Sequence, residues 1–232
     1  MELIWDGIVK ALALLFSGDP EIYQITLLTL QVAGTSTLIS VLIGIPTGAF
    51  LALGKFPGRK LIHSIVNTSM GMPPVVVGLW VSLLLWRSGP LGDLNLMYTP
   101  TAIIIAQAVI ASPIIMGLTS AAILQTDPKL RLQIRALGAN TLQYLWLLAK
   151  EIRYALLAAI MAGFGAVISE VGASMAVGGN IKGQTRVLTT ATVLEVSKGN
   201  FDVAIALSII LALLAFSVTL GLTLLQQKHQ GG

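Results

Sequence analysis

Cysteine is absent from this sequence, which excludes disulfides and thiolate metal sites. Charge is scarce: 10% of the 232 residues are Asp, Glu, Lys or Arg, against roughly a quarter in soluble domains, so lipid rather than water is the expected solvent. Histidine occurs only at His63 and His229, too far apart for a metal site to be expected, and no Ser, His and Asp arrangement suggests a catalytic residue. A Gly-x-x-x-x-Gly-Lys-Ser/Thr run is missing as well, which excludes a P-loop from this chain. The excess of 14 basic over 10 acidic residues lies in short loops rather than along a stripe, and nucleic acid is not an expected partner.

What remains is apolar: 55% of residues are hydrophobic and the mean hydropathy is +0.87. A helix crossing a hydrocarbon layer of about 30 Å needs about 20 mostly apolar residues, with every backbone polar group satisfied internally. Residues 25–53, 61–86, 100–124, 154–176 and 202–225 meet that requirement, and they predict an all-α integral membrane protein of about five transmembrane helices forming one domain. Residues 1–18 predict an interfacial helix, with Glu2, Asp6, Lys10 and Ser17 near helical spacing and Gly18-Asp19-Pro20 ending it. Because the chain starts with Glu2 and Asp6 rather than with positive charge, a cleavable signal peptide is not expected.

Orientation follows from the loops. One side holds Lys55, Arg59, Lys60, Lys129, Arg131, Arg135, Lys150, Arg153 and Lys228 with only Asp127 and Glu151; the other holds five basic and seven acidic residues. Positive loops stay cytoplasmic, so the N-terminus is expected outside and the C-terminus inside. Two loops exceed a simple turn: residues 125–153, cytoplasmic, and residues 177–201, external.

In the cytoplasmic loop, Asp127-Pro128 reads as a helix start and Gly138 as its stop. Asn140 and Gln143 have capping-box spacing for a second helix, with Leu142, Leu145, Trp146 and Leu148 on its apolar side. The product is a bent hairpin carrying arginines beside exposed leucines, suited either to docking a partner or to resting on lipid headgroups.

Glu170 lies inside a span, where a carboxylate costs about 2.5 to 3.5 kcal/mol. It either borders a translocation path or packs between helices, hydrogen bonded to hydroxyls such as Ser169 or Ser174. Met72, Pro73 and Pro74 predict a kink in the second span, lining a pathway or serving packing alone. Gly44-x-x-x-Gly48 offers close helix packing. Outside, Lys182 and Arg186 either attract an anion or an acidic partner surface, or are solvated; Gly178, Gly179 and Gly183 let that loop fold back as a gate.

The run Leu132-Gln133-Ile134-Arg135-Ala136-Leu137-Gly138-Ala139, with Leu148 ten residues after the glycine, resembles the glycine loop of importer permeases in the ATP-binding-cassette superfamily. Here Leu132 stands where that loop has an acidic residue, and Lys150-Glu151 where it ends in Leu-Pro. Downstream, Ser169-Glu170-Val171-Gly172-Ala173-Ser174 followed by Gly178-Gly179-Asn180 is similar to molybdate, sulfate and tungstate permeases, and residues 177–186 look most like the tungstate-uptake branch. The resemblance implies a type I importer permease fold in a prokaryotic inner membrane. It also implies a coupling element at Gln133 to Asn140, held by a cytoplasmic ATPase that binds ATP and magnesium. A homodimeric pore and an extracytoplasmic solute-binding protein complete the implied assembly. Against it stand a molybdate or sulfate permease, an ion-coupled secondary transporter using Glu170, and a membrane-embedded enzyme, which would need clustered ionisable groups that the spans lack.

Overall fold

The computed structural model describes Trp5, Ile8, Val9 and Ala13 and the continuous stretch 19–228; the rest of the interfacial helix expected over 1–18, and His229, lie outside the described residues. Ten α-helices are found among the described residues: α1 (Pro20–Leu53), α2 (Arg59–Met70), α3 (Pro74–Leu85), α4 (Pro100–Gln125), α5 (Pro128–Ala136), α6 (Thr141–Glu151), α7 (Arg153–Ile168), α8 (Gly172–Gly178), α9 (Leu188–Ser197) and α10 (Phe201–Lys228). Of these, α1, α4 and α10 are each long and apolar enough to cross a membrane, and α2–α3 and α6–α7 qualify as broken spans bent by 105° and 74°.

Helix α1 starts five residues before the predicted span because Asp19 caps it: its Oδ1 accepts from the amides of Glu21 (2.8 Å) and Ile22 (3.4 Å), and Pro20 fills the first helical position. Thus Asp19-Pro20 opens a helix. At its other end, Arg59 donates through Nε to the Leu51 carbonyl (2.8 Å) and through Nη2 to that of Ala52 (2.7 Å), satisfying acceptors that the helix leaves unpaired.

A stripe of small residues at i, i+4 spacing, Ser36, Ser40, Gly44 and Gly48, is buried and lets α1 lie closely on α4. The Ser40 hydroxyl stands 3.2 Å from the Ala108 carbonyl across that contact. A Cβ on Gly48 would sit 2.5 Å from the Met116 carbonyl oxygen, and one on Gly44 2.9 Å from Ile115 Cβ. Gly48→Ala is therefore expected to destabilise the protein by about 1 to 3 kcal/mol. Thermal unfolding in detergent checks this against Gly34→Ala, where a Cβ meets nothing within 4 Å and little change is expected.

The predicted kink in the second span is a full break. Gly71, Met72 and Pro73 separate α2 from α3, and because neither Pro73 nor Pro74 has an amide hydrogen, the helix restarts at a new angle instead of bending through. The predicted fourth span is likewise broken: α7 ends at Ile168, and the chain turns through Ser169, Glu170 and Val171 before the short α8. A core of Val32, Val77, Val81, Ile103, Ala106 and Ala173 joins α1, α3, α4 and α8, while Ala33, Ala111, Phe164 and Val167 bring in α7. The loop expected at 177–201 contains α9, whose Leu188 and Ala191 are buried against Ile25 of α1 and Leu207 and Ile210 of α10.

Candidate functional site: an exposed hairpin and two apposed helix breaks

The hairpin forms as its residues dictate. Asp127 Oδ1 accepts from the Lys129 amide (2.8 Å), starting α5, and Asn140 and Gln143 complete a reciprocal capping box with both bonds at 2.9 Å, starting α6. Between them Gly138 has φ +78°, a left-handed conformation that favours glycine, and no neighbour would touch a Cβ there. Its tip is bare: Leu137 is 87% and Leu142 79% exposed, with Leu132 and Trp146 also outward.

Not every residue of the predicted coupling element faces out. Gln133, Arg135, Ala136, Leu137, Gly138 and Asn140 are exposed and Ala139 is half-buried. Ile134, with Tyr144 and Leu148, is buried against Ala52 of α1 and Ile123 of α4. Leu148 therefore does not share the outward surface of Leu142 and Trp146; it anchors the hairpin to the helical body. The Arg135 guanidinium lies 4.9 Å over the Tyr144 ring.

The two helix breaks, almost 100 residues apart in sequence, meet in space. A Cβ on Gly172 would lie 2.4 Å from Val75 Cγ2, and one on Gly78 2.6 Å from Ala173 Cα, so α3 and α8 run in close contact over glycine and alanine. The Ser82 hydroxyl bonds the Ala176 carbonyl at 3.2 Å. Met72, Pro73, Pro74 and Ser169 are exposed on the single chain, whereas Ser174 and Gly178 are buried and Gly172 and Asn180 half-buried.

Glu170, 5% exposed, turns inward from its break and caps α8. Its Oε1 accepts from the Ala173 amide (2.6 Å), and its Oε2 from the Ser174 amide (2.9 Å) and hydroxyl (2.8 Å). The Ser174 hydroxyl in turn accepts from Gln107 Nε2 (3.3 Å), and Gln107 Oε1 is 3.0 Å from the Ser36 hydroxyl. Thr189 donates to the Glu170 carbonyl at 2.9 Å. This chain links α1, α4, the α7–α8 break and α9. Of the two readings open for Glu170, the geometry supports packing, with Ser174 as the partner; Ser169 instead bonds the Gly165 carbonyl at 2.7 Å and points away. Ser36, Gln107 and Thr189 escape a search for charged residues, although a glutamine within an apolar run is itself a signal of a buried polar contact.

Lys182 and Arg186 are committed as well. Both reach Glu21 in the first turn of α1, at 2.6 and 3.4 Å, so they tie the 177–187 turn to α1. Gly179 at φ +69° lies against Tyr98, Gly183 has φ +76°, and Asn180 donates to the Thr190 carbonyl at 3.2 Å, which folds this turn back onto the helices. At the end of α9, Lys198 and Asn200 donate to Glu195 and hold its carboxyl below the usual carboxylate range.

The sequence pattern described as the binding-protein-dependent transport system inner membrane component matches residues 44–230. The chain belongs to this family, the permease subunits of ATP-binding-cassette importers. It is 39% identical to the tungstate uptake system permease protein TupB of Peptoclostridium acidaminophilum, across 98% of this chain and all of that one. With the protein of the same name from Campylobacter jejuni it shares 38% over 93% of this chain and 90% of the other. The molybdenum transport system permease protein ModB of Escherichia coli is more distant, at 26% over 92% and 98%. In fold the permease is similar to a chain of the MetNI methionine transporter in an inward-facing conformation, with a TM-score of 0.74 at 19% identity over 90% of this chain and 98% of that one.

Proposed function

We propose that this permease carries tungstate, working as two identical copies that form the path between them. In this reading two ATPase subunits, which bind ATP and magnesium, grip the hairpins, and a solute-binding protein delivers the oxyanion on the opposite face. The observation that carries the substrate is the 39% identity, over essentially its whole length, to a permease named for tungstate uptake. The coupling role rests on the bare tip at Leu137 and Gly138, an apolar and basic surface that nothing among the described residues covers. The nine basic residues counted at that end support a cytoplasmic hairpin, an external N-terminus and residence in a prokaryotic inner membrane.

Mechanically, drawing two hairpins together would rock the helices to which Ile134 and Leu148 anchor them, so that the path opens outward. The paired breaks at Met72 to Pro74 and Ser169 to Val171 are the candidate lining, since Met72, Pro73, Pro74 and Ser169 are left open on the single chain. In this reading Glu170 holds that region's geometry instead of serving as an ion site, which its bonds to Ala173 and Ser174 support. Co-expression with the neighbouring ATPase and binding protein, followed by mild-detergent purification, is expected to recover all three together. Tungstate-loaded binding protein is expected to raise ATP turnover in liposomes. Stimulation by molybdate- or sulfate-loaded binding protein in its place would overturn the substrate assignment.

A further inference from the structure

At the hairpin end a cleft of about 380 Å³ lies between the end of α1 and helix α5. Lys55, Arg59, Arg131 and Arg135 line it, with no Asp or Glu among the described residues. Through Lys55 and Arg59 it continues into an open groove of about 1070 Å³ along α2, which adds Lys60 and His63 and again no carboxylate among the described residues. None of the four cleft cations forms an ion pair among the described residues.

Two of these cations are also held in place. Arg59 is pinned by its bonds to the Leu51 and Ala52 carbonyls, which leave Nη1 without a partner among the described residues. Arg135 rests on the face of the buried Tyr144, and a stacked guanidinium keeps its in-plane N–H groups available. Arg131 Nε is buried with no hydrogen-bond acceptor among the described residues, an unfavourable state for a donor unless something supplies one. Cations that serve topology alone need no common cavity and no fixed geometry. Concave sites lined by one sign of charge concentrate the opposite ion, and forked guanidinium donors match oxygens of tetrahedral anions.

We infer that this cleft is an anion site that takes a tetrahedral oxyanion or a phosphate monoester group, and that the occupant fastens α5 to the end of α1. Free oxyanions and the headgroup of an anionic lipid offer the same chemistry. The site is separate from the helix breaks and does not depend on which solute the permease carries.

The purified full-length chain in neutral detergent is titrated with sulfate, phosphate and tungstate at constant ionic strength set by chloride, following binding by calorimetry. In parallel, nanodiscs containing phosphatidic acid are compared with phosphatidylcholine alone, counting bound lipid by native mass spectrometry. Saturable binding of one anion per chain is expected in at least one arm: free oxyanions identify a soluble ligand, phosphatidic acid alone a headgroup. Arg131→Gln and Lys55→Gln are each expected to weaken it at least tenfold, while Lys129→Gln, an exposed cation of α5 outside the cleft, leaves it within twofold. Lys55 is exposed, so its variant stays informative if the Arg131 variant fails to fold. Absence of saturable binding in both arms overturns the site. So does equal weakening by Lys129→Gln, which would mean diffuse attraction to a basic surface.

Discussion

Glu170→Ala is expected to be among the most destabilising single changes in the protein. It removes the acceptor from the Ala173 amide, the Ser174 amide and the Ser174 hydroxyl, all buried where water cannot replace it. An unpaired buried donor costs about 1 to 3 kcal/mol, so a total on the order of 3 to 5 kcal/mol follows once partial relaxation is allowed. Loss of the cap also leaves the Ser174 hydroxyl, which accepts from Gln107, without its own acceptor, and so loosens the link to Ser36. Glu170→Gln keeps one oxygen but turns an amide donor toward another donor, and an intermediate loss is expected. Thermal unfolding in detergent measures both. A Glu170→Gln protein with wild-type stability but no uptake would show that the carboxylate serves transport itself and that its capping role is secondary.

Leu137→Asp is expected to do the opposite: leave the fold intact and abolish coupling. At 87% exposure the side chain contributes almost nothing to this chain's own packing, so its unfolding temperature stays unchanged. If the tip is an anchor for the ATPase, losing it costs about 2 kcal/mol of association, or about 30-fold in ATPase affinity. Gly138→Ala acts through the backbone: at φ +78° an L-residue is strained by about 1 to 2 kcal/mol, although space for the methyl group is free. In both variants uptake is expected to fall at least tenfold. Pull-down of the ATPase and transport in the same liposomes check it; full ATPase retention and normal uptake by Leu137→Asp would place the interface elsewhere.

Much of the hairpin was legible because its signals are local. Asp127-Pro128, Gly138 and the Asn140–Gln143 pair each act within four residues, and all three stand where the residue types demand. Which side of the hairpin is bare was not legible, because Ile134 and Leu148 are no more apolar than Leu137 and Leu142. Only the ends of α1 and α4 beneath the first two decide which are covered. The proline pair signalled an interruption, but its size depends on what receives the restarted helix, and Gly78 against Ala173 holds α3 at its new angle. Charged side chains misled for a related reason: Lys182 and Arg186 look free in sequence, and their partner Glu21 lies about 160 residues away.

Composition and hydropathy by themselves determined that this chain lives in lipid and that its long helices satisfy their own backbones, since both follow from the solvent's inability to hydrogen bond. Local capping residues determined where α1, α4, α5 and α6 begin. Tertiary structure alone decided that the Glu170–Ser174 contact is joined to Gln107 and Ser36, that two distant breaks share one place, and that four cations border one cleft. Each of those depends on pairs of residues remote along the chain, and the free energy of a buried hydrogen bond or an unshielded charge is set by the partner that packing brings to it.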